Sequence, residues 1–259
     1  MRVAMVISYP SNSQMGELRQ LLLAKHLQNA GVPCDVFRLS RRREDSIGAT
    51  EFHSGMRFCR VDNPGEAHVP SLTSAALLTQ LKAGGYDVII LRGLRRAVND
   101  QIMDAFRTGV RYAAIPGGSF RDRHLARYGF IFFEHRGQCA AYARELKHKP
   151  VLRPLPKYVP ANVVRAARDV TKSADVSVVS KFDARKNHRL LYPLFDTDLR
   201  IRLIGSGSLQ GEVEQVAAGR PNVVFTGNLE WQACILAGAG ARLLAHPSTH
   251  EGLPRAVVE

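Results

Sequence analysis

Short apolar runs alternate with segments of helical periodicity along almost the whole chain, and this alternation limits the possible folds more than any other feature. In the first half, the runs that predict strands cover residues 2–8, 34–39, 56–61, 87–91, 112–115 and 130–133. Residues 16–30 place leucines close to a 3.6-residue period, and similar helical segments separate the later strands. Because no hairpin turn links successive strands, crossover connections are needed, and the sequence predicts an α/β fold with mostly parallel sheets.

Four prolines, at positions 150, 154, 156 and 160, interrupt this alternation. Because proline cannot occupy the interior of a helix or of a central strand, we interpret residues 151–174 as a linker. The N-terminal domain is then predicted to cover residues 1–150 and the C-terminal domain residues 175–259. In the latter, strands are predicted at residues 175–179, 200–204, 222–225 and 242–245, and helices at 187–195, 209–218 and 229–236. A further helix starts at Pro254, close to the last residue, so we expect the second domain to be incomplete.

Basic residues outnumber acidic ones: 36 lysines and arginines face 23 aspartates and glutamates, a formal net charge of +13. This excess favours an anionic partner, either a phosphorylated ligand, an acidic membrane surface or nucleic acid. A hydrophobic share of 45% excludes a disordered chain. No apolar run reaches the roughly 20 residues of a membrane-spanning helix, and the first residues lack the apolar core of a signal peptide. We therefore expect a cytoplasmic protein.

Two arginine clusters lie on predicted loops, one at residues 41–43 and the other formed by Arg92, Arg95 and Arg96. Each cluster is interpreted either as solvated surface charge or as a site for anionic lipid head groups. The second interpretation predicts peripheral contact with the anionic inner face of a membrane.

The sharpest pattern lies at residues 247–259, which read PSTHEGLPRAVVE. Glu251 follows a predicted strand, and Glu259 comes eight residues later in a helix that begins at Pro254. Carboxylates are strong acceptors for sugar and ribose hydroxyls, and Gly252 allows backbone to approach a phosphate near a helix N-terminus. The pattern resembles the glutamate–seven residues–glutamate signature of retaining family 4 glycosyltransferases. The alternative interpretation is a loop followed by an exposed helical glutamate.

Residues 178–187, VVSKFDARKN, resemble the basic loop that follows the first strand of the C-terminal domain in this family. The resemblance implies that Lys181 and Lys186 clamp the diphosphate of the donor. Two ammonium groups at a strand end would neutralise phosphate and stabilise a departing nucleoside diphosphate. Taken without its position in the chain, the same pair is typical of a solvated surface loop.

Glycine turns extend the resemblance through the rest of the C-terminal half. Residues 203–207, LIGSG, are similar to the family's Gly-x-Gly turn, and we favour a tight strand-to-helix turn over ligand contact for Gly205, since the dinucleotide pattern fails at Gln210. Residues 222–227, NVVFTG, match a family strand at whose end Gly227 would approach the nucleotide base. In the N-terminal half only Gly16 matches a glycine pair of the family. The predicted catalytic residues are Lys181, Lys186 and Glu251, and the predicted substrate-binding residues are Gly16, Gly205, Gly227, His250, Gly252, Leu253 and Glu259.

The resemblance implies two Rossmann-like parallel-sheet domains that face a cleft, the arrangement called GT-B. It implies transfer of a sugar, with retention of configuration, from a UDP-, GDP- or ADP-sugar to an acceptor that the sequence does not identify: a glycan, a lipid-linked sugar or a small molecule. No cofactor and no metal are expected, because cations and a helix N-terminus would hold the diphosphate. The alternative is a non-enzymatic nucleotide or nucleic-acid binder, which would need basic residues interleaved with exposed aromatics. Since aromatics are only 7% of the chain and lie mostly in strand-like runs, we expect no nucleic-acid partner.

Overall fold

The computed structural model describes residues 1–10, 18–41, 56–116, 122–148, 150–155, 159–249, 251 and 253–259. The chain divides into two compact units, Met1–Pro156 and Lys157–Glu259, and each is built around its own parallel β-sheet. The α/β class predicted from the alternation of strands and helices is therefore confirmed.

The first unit contains seven parallel strands in the order β3-β2-β1-β4-β5-β6-β7. Their bounds are β1 Val3–Ile7, β2 Cys34–Ser40, β3 Met56–Arg60, β4 Val88–Arg92, β5 Arg111–Ile115, β6 Tyr128–Phe133 and β7 Val151–Pro154. The strand order changes direction between β1 and β4, so their carboxyl ends define the switch point of the sheet, where α/β folds bind ligands.

Helices cover both faces of the first sheet. They are α1 Leu18–Asn29, α2 Ala75–Gly84, α3 Ala97–Ala105 and α4 Arg136–Glu145, with short 3₁₀ turns at Val69–Ser71 and Leu125–Arg127. Strand β1 is buried on both faces: Ala4 and Val6 belong to one hydrophobic cluster, and Val3, Met5 and Ile7 belong to the other. A strand buried on both faces reads as a continuous apolar run, which is why the sequence shows runs and not strict alternation.

The second unit contains four parallel strands in the order β10-β9-β8-β11. The strands are β8 Ala174–Val179, β9 Ile201–Ile204, β10 Val223–Gly227 and β11 Ala241–Leu244. The helices are α5 Ala161–Arg168, α6 Gln210–Ala217, α7 Trp231–Ala239 and α8 Arg255–Val258, and 3₁₀ segments cover Ala184–Lys186 and His188–Asp196. The switch point of this sheet lies between β8 and β11.

Two expectations about local structure differ from the observed fold. The segment interpreted as a linker contains β7 and α5, because Pro154 ends a strand at the sheet edge and Pro160 lies just before the helix. Proline is tolerated at both kinds of position. The helix predicted at residues 187–195 is a 3₁₀ segment, His188–Asp196, with Pro193 inside it. Proline lacks the N–H that an α-helix would use at that position.

None of the helices in the described part of the chain combines the length and the apolar character that a membrane-spanning segment requires.

Candidate functional site

The loops that follow β8 and β11 meet at the carboxyl edge of the second sheet. β8 and β11 are neighbouring parallel strands, so their carboxyl ends lie side by side. The backbone N–H of Thr249 donates to the carbonyl oxygen of Arg185 at 2.9 Å, and the Thr249 hydroxyl donates to the same oxygen at 3.2 Å. Two segments 64 residues apart in sequence are thereby joined into one surface.

Lys186 and Glu251 form an ion pair on this surface. The Lys186 Nζ donates to Glu251 Oε1, and the two side chains are only 15% and 26% exposed. His246, which follows β11, places its Nε2 3.4 Å from the same carboxylate oxygen. Burial by itself would raise the pKa of Glu251, but the hydrogen bond and charge of Lys186, together with the nearby His246, hold it below its usual value. The carboxylate is therefore ionised at neutral pH.

The segment carrying Lys186 has a defined local conformation. Asp183 precedes the 3₁₀ turn Ala184–Lys186, and its carboxylate accepts a hydrogen bond from the backbone N–H of Arg185 at 3.1 Å. Burial would raise the pKa of Asp183, but hydrogen bonds and the charge of Arg185 lower it overall. The turn ends at Asn187, which adopts a left-handed conformation with φ of 50°. Asparagine tolerates this conformation better than most residues.

Two glycines of the turn after β9 are explained by close packing against the same segment. Gly205 has φ of 126°, and a Cβ at this position would lie 2.0 Å from the carbonyl oxygen of Ser180. A Cβ on Gly207 would lie 2.2 Å from the carbonyl oxygen of Phe182. The Phe182 N–H also donates to the Ser206 carbonyl oxygen at 2.9 Å. Glycine at 205 and 207 thus lets two backbone segments touch beside the ion pair.

A buried histidine, His188, lies two residues after Lys186 at the start of the next 3₁₀ segment. His188 is 3% exposed, its Nε2 lies 2.8 Å from Ser180 Oγ, and its ring packs edge-on against Phe182 at 4.7 Å. Burial lowers the pKa of His188, the charge of Lys186 lowers it further, and Asp183 opposes both effects. Sequence reasoning missed His188 and His246, although each stands next to a quoted motif: one follows the basic loop and the other precedes Pro247.

We expect His188 to weaken the protein in acid. An unfolded histidine titrates near pH 6.5, whereas the folded His188 resists protonation, so the unfolded state binds more protons as the pH falls through about 6.5. The free energy of unfolding should therefore decrease below that pH. The measurement is urea unfolding between about pH 5 and 8 for the wild type and His188→Phe, with His68→Phe as the exposed control. An identical pH dependence for wild type and His188→Phe would contradict this role.

The other residues predicted to bind substrate or to act in catalysis differ in their exposure and hydrogen bonds. Lys181 is exposed and has no ion pair within the described ranges, while Leu253 is partly buried. Gly227 has φ of 67°, and its carbonyl oxygen accepts from the Gly205 N–H at 2.9 Å. The Glu259 carboxylate accepts from Trp231 Nε1 at 3.0 Å and Arg255 Nε at 2.9 Å. Gly16, His250 and Gly252 lie outside the described residues.

The aspartates of an Asp-Thr-Asp sequence, residues 196–198, are carboxylates of the kind that can bind a metal ion. The sequence precedes β9 and therefore lies at the opposite edge of the sheet from the Lys186–Glu251 ion pair. Asp196 Oδ1 there accepts a hydrogen bond from Arg220 Nε at 2.8 Å. Across the described ranges, no group of three or more histidines, cysteines, aspartates or glutamates is arranged to hold a metal ion.

Comparison with solved structures identifies the architecture. Over 98% of this chain and 77% of the other, the structure superposes on sucrose-phosphate synthase from Thermosynechococcus elongatus with a TM-score of 0.67 and 15% identity. The lipopolysaccharide outer core galactosyltransferase WaaB superposes over 100% of this chain and 77% of its own, with a TM-score of 0.68 and 15% identity. A TarM mutant from S. aureus, solved in complex with fondaparinux, alpha-GlcNAc-glycerol and UDP, superposes over 100% of this chain and 83% of its own, with a TM-score of 0.72 and 8% identity.

No protein-family model matches the sequence, and the search of curated proteins finds no match. At identities of 8% to 15%, the structural likeness establishes the fold. The chain has the α/β architecture of two Rossmann-like parallel-sheet domains that characterises GT-B proteins, and the predicted fold class is confirmed.

Proposed function

We propose that the protein is a glycosyltransferase that binds the diphosphate of a nucleotide-sugar donor at the carboxyl edge of its second sheet. The observation that carries this proposal is the Lys186–Glu251 ion pair, which joins the two loops at the switch point of that sheet. Ligands of open parallel sheets bind at such points. The fold supports the proposal too, since a sucrose-phosphate synthase, a galactosyltransferase and a UDP complex share it.

The chemistry assigned to the site is mainly electrostatic. When the bond between the sugar's anomeric carbon and the diphosphate oxygen breaks, negative charge grows on the departing nucleoside diphosphate. The largely buried ammonium of Lys186 stabilises that charge, and exposed Lys181 adds a second cation. Glu251, held ionised, accepts hydrogen bonds from donor hydroxyls. We further propose that transfer retains the configuration at the anomeric carbon, in line with the family that the motifs resemble.

The proposal is tested by calorimetric titration with UDP, GDP and ADP, followed by assays of sugar release from the corresponding donors. We expect one nucleotide to bind and its sugar donor to be turned over without added Mg²⁺, because lysines neutralise the diphosphate. Complete loss of turnover in EDTA would contradict the metal-free mechanism. Nucleotide binding without release of sugar from any donor would instead favour a non-enzymatic nucleotide-binding protein.

A further inference from the structure

Two arginines at the carboxyl edge of the first sheet have no carboxylate partner among the described residues. Arg95 and Arg96 follow β4, and neither forms an ion pair within that part of the chain. Arg95 adopts φ of 58°, which a non-glycine residue rarely does. Its backbone N–H donates to Asp122 Oδ2 at 2.8 Å. The backbone hydrogen bond to Asp122 thus holds the strained turn in place, while the side chain of Arg95 remains exposed.

Arg96 is less solvated than a surface arginine. Its guanidinium carbon lies 6.0 Å from the centroid of the Tyr9 ring, and its Nε is buried without a hydrogen-bond partner among the described residues. Burial lowers the pKa of Arg96, while Tyr9 has the opposite, smaller influence. Leaving a donor of a charged group unsatisfied is costly, so this guanidinium is held in place at a free-energy penalty.

Two carboxylates line the same region, and each has hydrogen-bond or ion-pair partners of its own. Asp100 contacts Arg123 Nε and His124 Nε2, each at 3.0 Å. Asp122 accepts from the backbone N–H groups of Arg95 and His124, each at 2.8 Å. Asp100 is thus paired with Arg123, whereas Asp122 keeps its negative charge, and neither acid forms an ion pair with Arg95 or Arg96 among the described residues.

The two arginines line a groove of about 400 Å³. Its other walls include Pro70, Ser71, Asp100, Asp122 and Arg123, so the loops after β3, β4 and β5 all contribute to it. Three arginines and two aspartates line the groove, and the basic residues are therefore in excess. Helix α3 also begins at this groove with Ala97, and the residue before it, Arg96, provides no side-chain cap for the first turn. Uncapped N–H groups at a helix N-terminus and forked guanidinium donors both suit phosphate oxygens.

We propose that this groove is a phosphate-binding site of the first unit, in which Arg95 and Arg96 hold the phosphate of a small molecule or of a lipid head group. The recognised chemistry is the same in both cases. Assigning the phosphate to the sugar acceptor rests on the proposed glycosyltransferase function, whereas the binding of phosphate does not.

The test titrates inorganic phosphate into the wild type and into Arg96→Ala, Arg95→Ala and Lys186→Ala by calorimetry. Arg107→Ala serves as the matched control, because Arg107 lies just beyond the other end of α3, away from the groove. We expect millimolar-range binding that weakens by about tenfold or more in each of Arg96→Ala and Arg95→Ala, and persists in Lys186→Ala and in the control. UDP binding should be unchanged in Arg96→Ala, which separates this site from the donor site.

A second arm measures sedimentation with vesicles of phosphatidylcholine alone or mixed with phosphatidylglycerol. Binding to the mixed vesicles that is lost in Arg96→Ala and Arg95→Ala would identify a lipid head group as the source of the phosphate. Phosphate binding without any vesicle binding would identify a soluble ligand. Unchanged phosphate affinity in Arg96→Ala and Arg95→Ala, or no phosphate binding by the wild type, would overturn the proposal.

Discussion

Replacing Lys186 by alanine is expected to lower kcat/KM for sugar transfer by ~10²–10³-fold, equivalent to about 3–4 kcal/mol of transition-state stabilisation. The reason is that, in the proposed mechanism, this ammonium stabilises the charge that grows on the diphosphate as the donor bond breaks. The substitution also leaves the partly buried Glu251 carboxylate without its partner, which would oppose binding of an anionic diphosphate. The measurement is steady-state kinetics with the donor identified by calorimetry.

Lys82→Ala is the matched control, since Lys82 is exposed in the last turn of α2. This variant should keep the wild-type kinetics. Circular dichroism of both variants separates loss of chemistry from loss of fold. A change of less than about threefold in Lys186→Ala would place the lysine outside the donor site.

Replacing Gly205 by alanine is expected to lower the free energy of unfolding by about 3 kcal/mol. The new methyl group would lie 2.0 Å from the Ser180 carbonyl oxygen, and the residue would have to keep φ of 126°. Backbone cannot move away there without disturbing β8 and the segment that carries Lys186. We therefore expect donor affinity to fall together with stability, as measured by urea unfolding and calorimetry.

Gly211→Ala provides the comparison for this substitution. Gly211 lies in α6, where an added methyl group would meet no atom of the described residues within 4 Å. This variant should gain roughly 0.5–1 kcal/mol from the higher helix propensity of alanine. Equal stability of Gly205→Ala and the wild type would show that the turn after β9 adjusts easily, and would contradict the close-packing explanation.

Apart from β7, which lies in the segment interpreted as a linker, the sequence predicted the strands, because a doubly buried strand leaves a continuous apolar run, as β1 does with all five residues buried. The resemblance to a glycosyltransferase family assigned Lys186 and Glu251 to the same proposed site, and in the structure the two side chains form an ion pair. The sequence did not predict the segment at His188–Asp196 correctly, since 3₁₀ and α-helical segments share apolar spacing over short lengths.

Other parts of the site depend on contacts between distant segments. The burial of His188 arises from packing against Phe182 and Ser180, and a local pattern does not contain that information. The same holds for the requirement for glycine at 205 and 207, which comes from the backbone of another loop. Whether Arg95 and Arg96 find a carboxylate among the described residues likewise depends on which acids the fold has already engaged.

The link between Arg185 and Thr249 has a consequence for how the protein acquires its binding capacity. Strands β8, β9 and β10 are consecutive in the chain and pair side by side, whereas β11 joins the opposite side of β8. The sheet can therefore begin to assemble during synthesis while the proposed donor site still lacks the residues that follow β11. Nucleotide affinity should appear only once β11 has docked, and bound nucleotide should in turn slow the detachment of that edge strand.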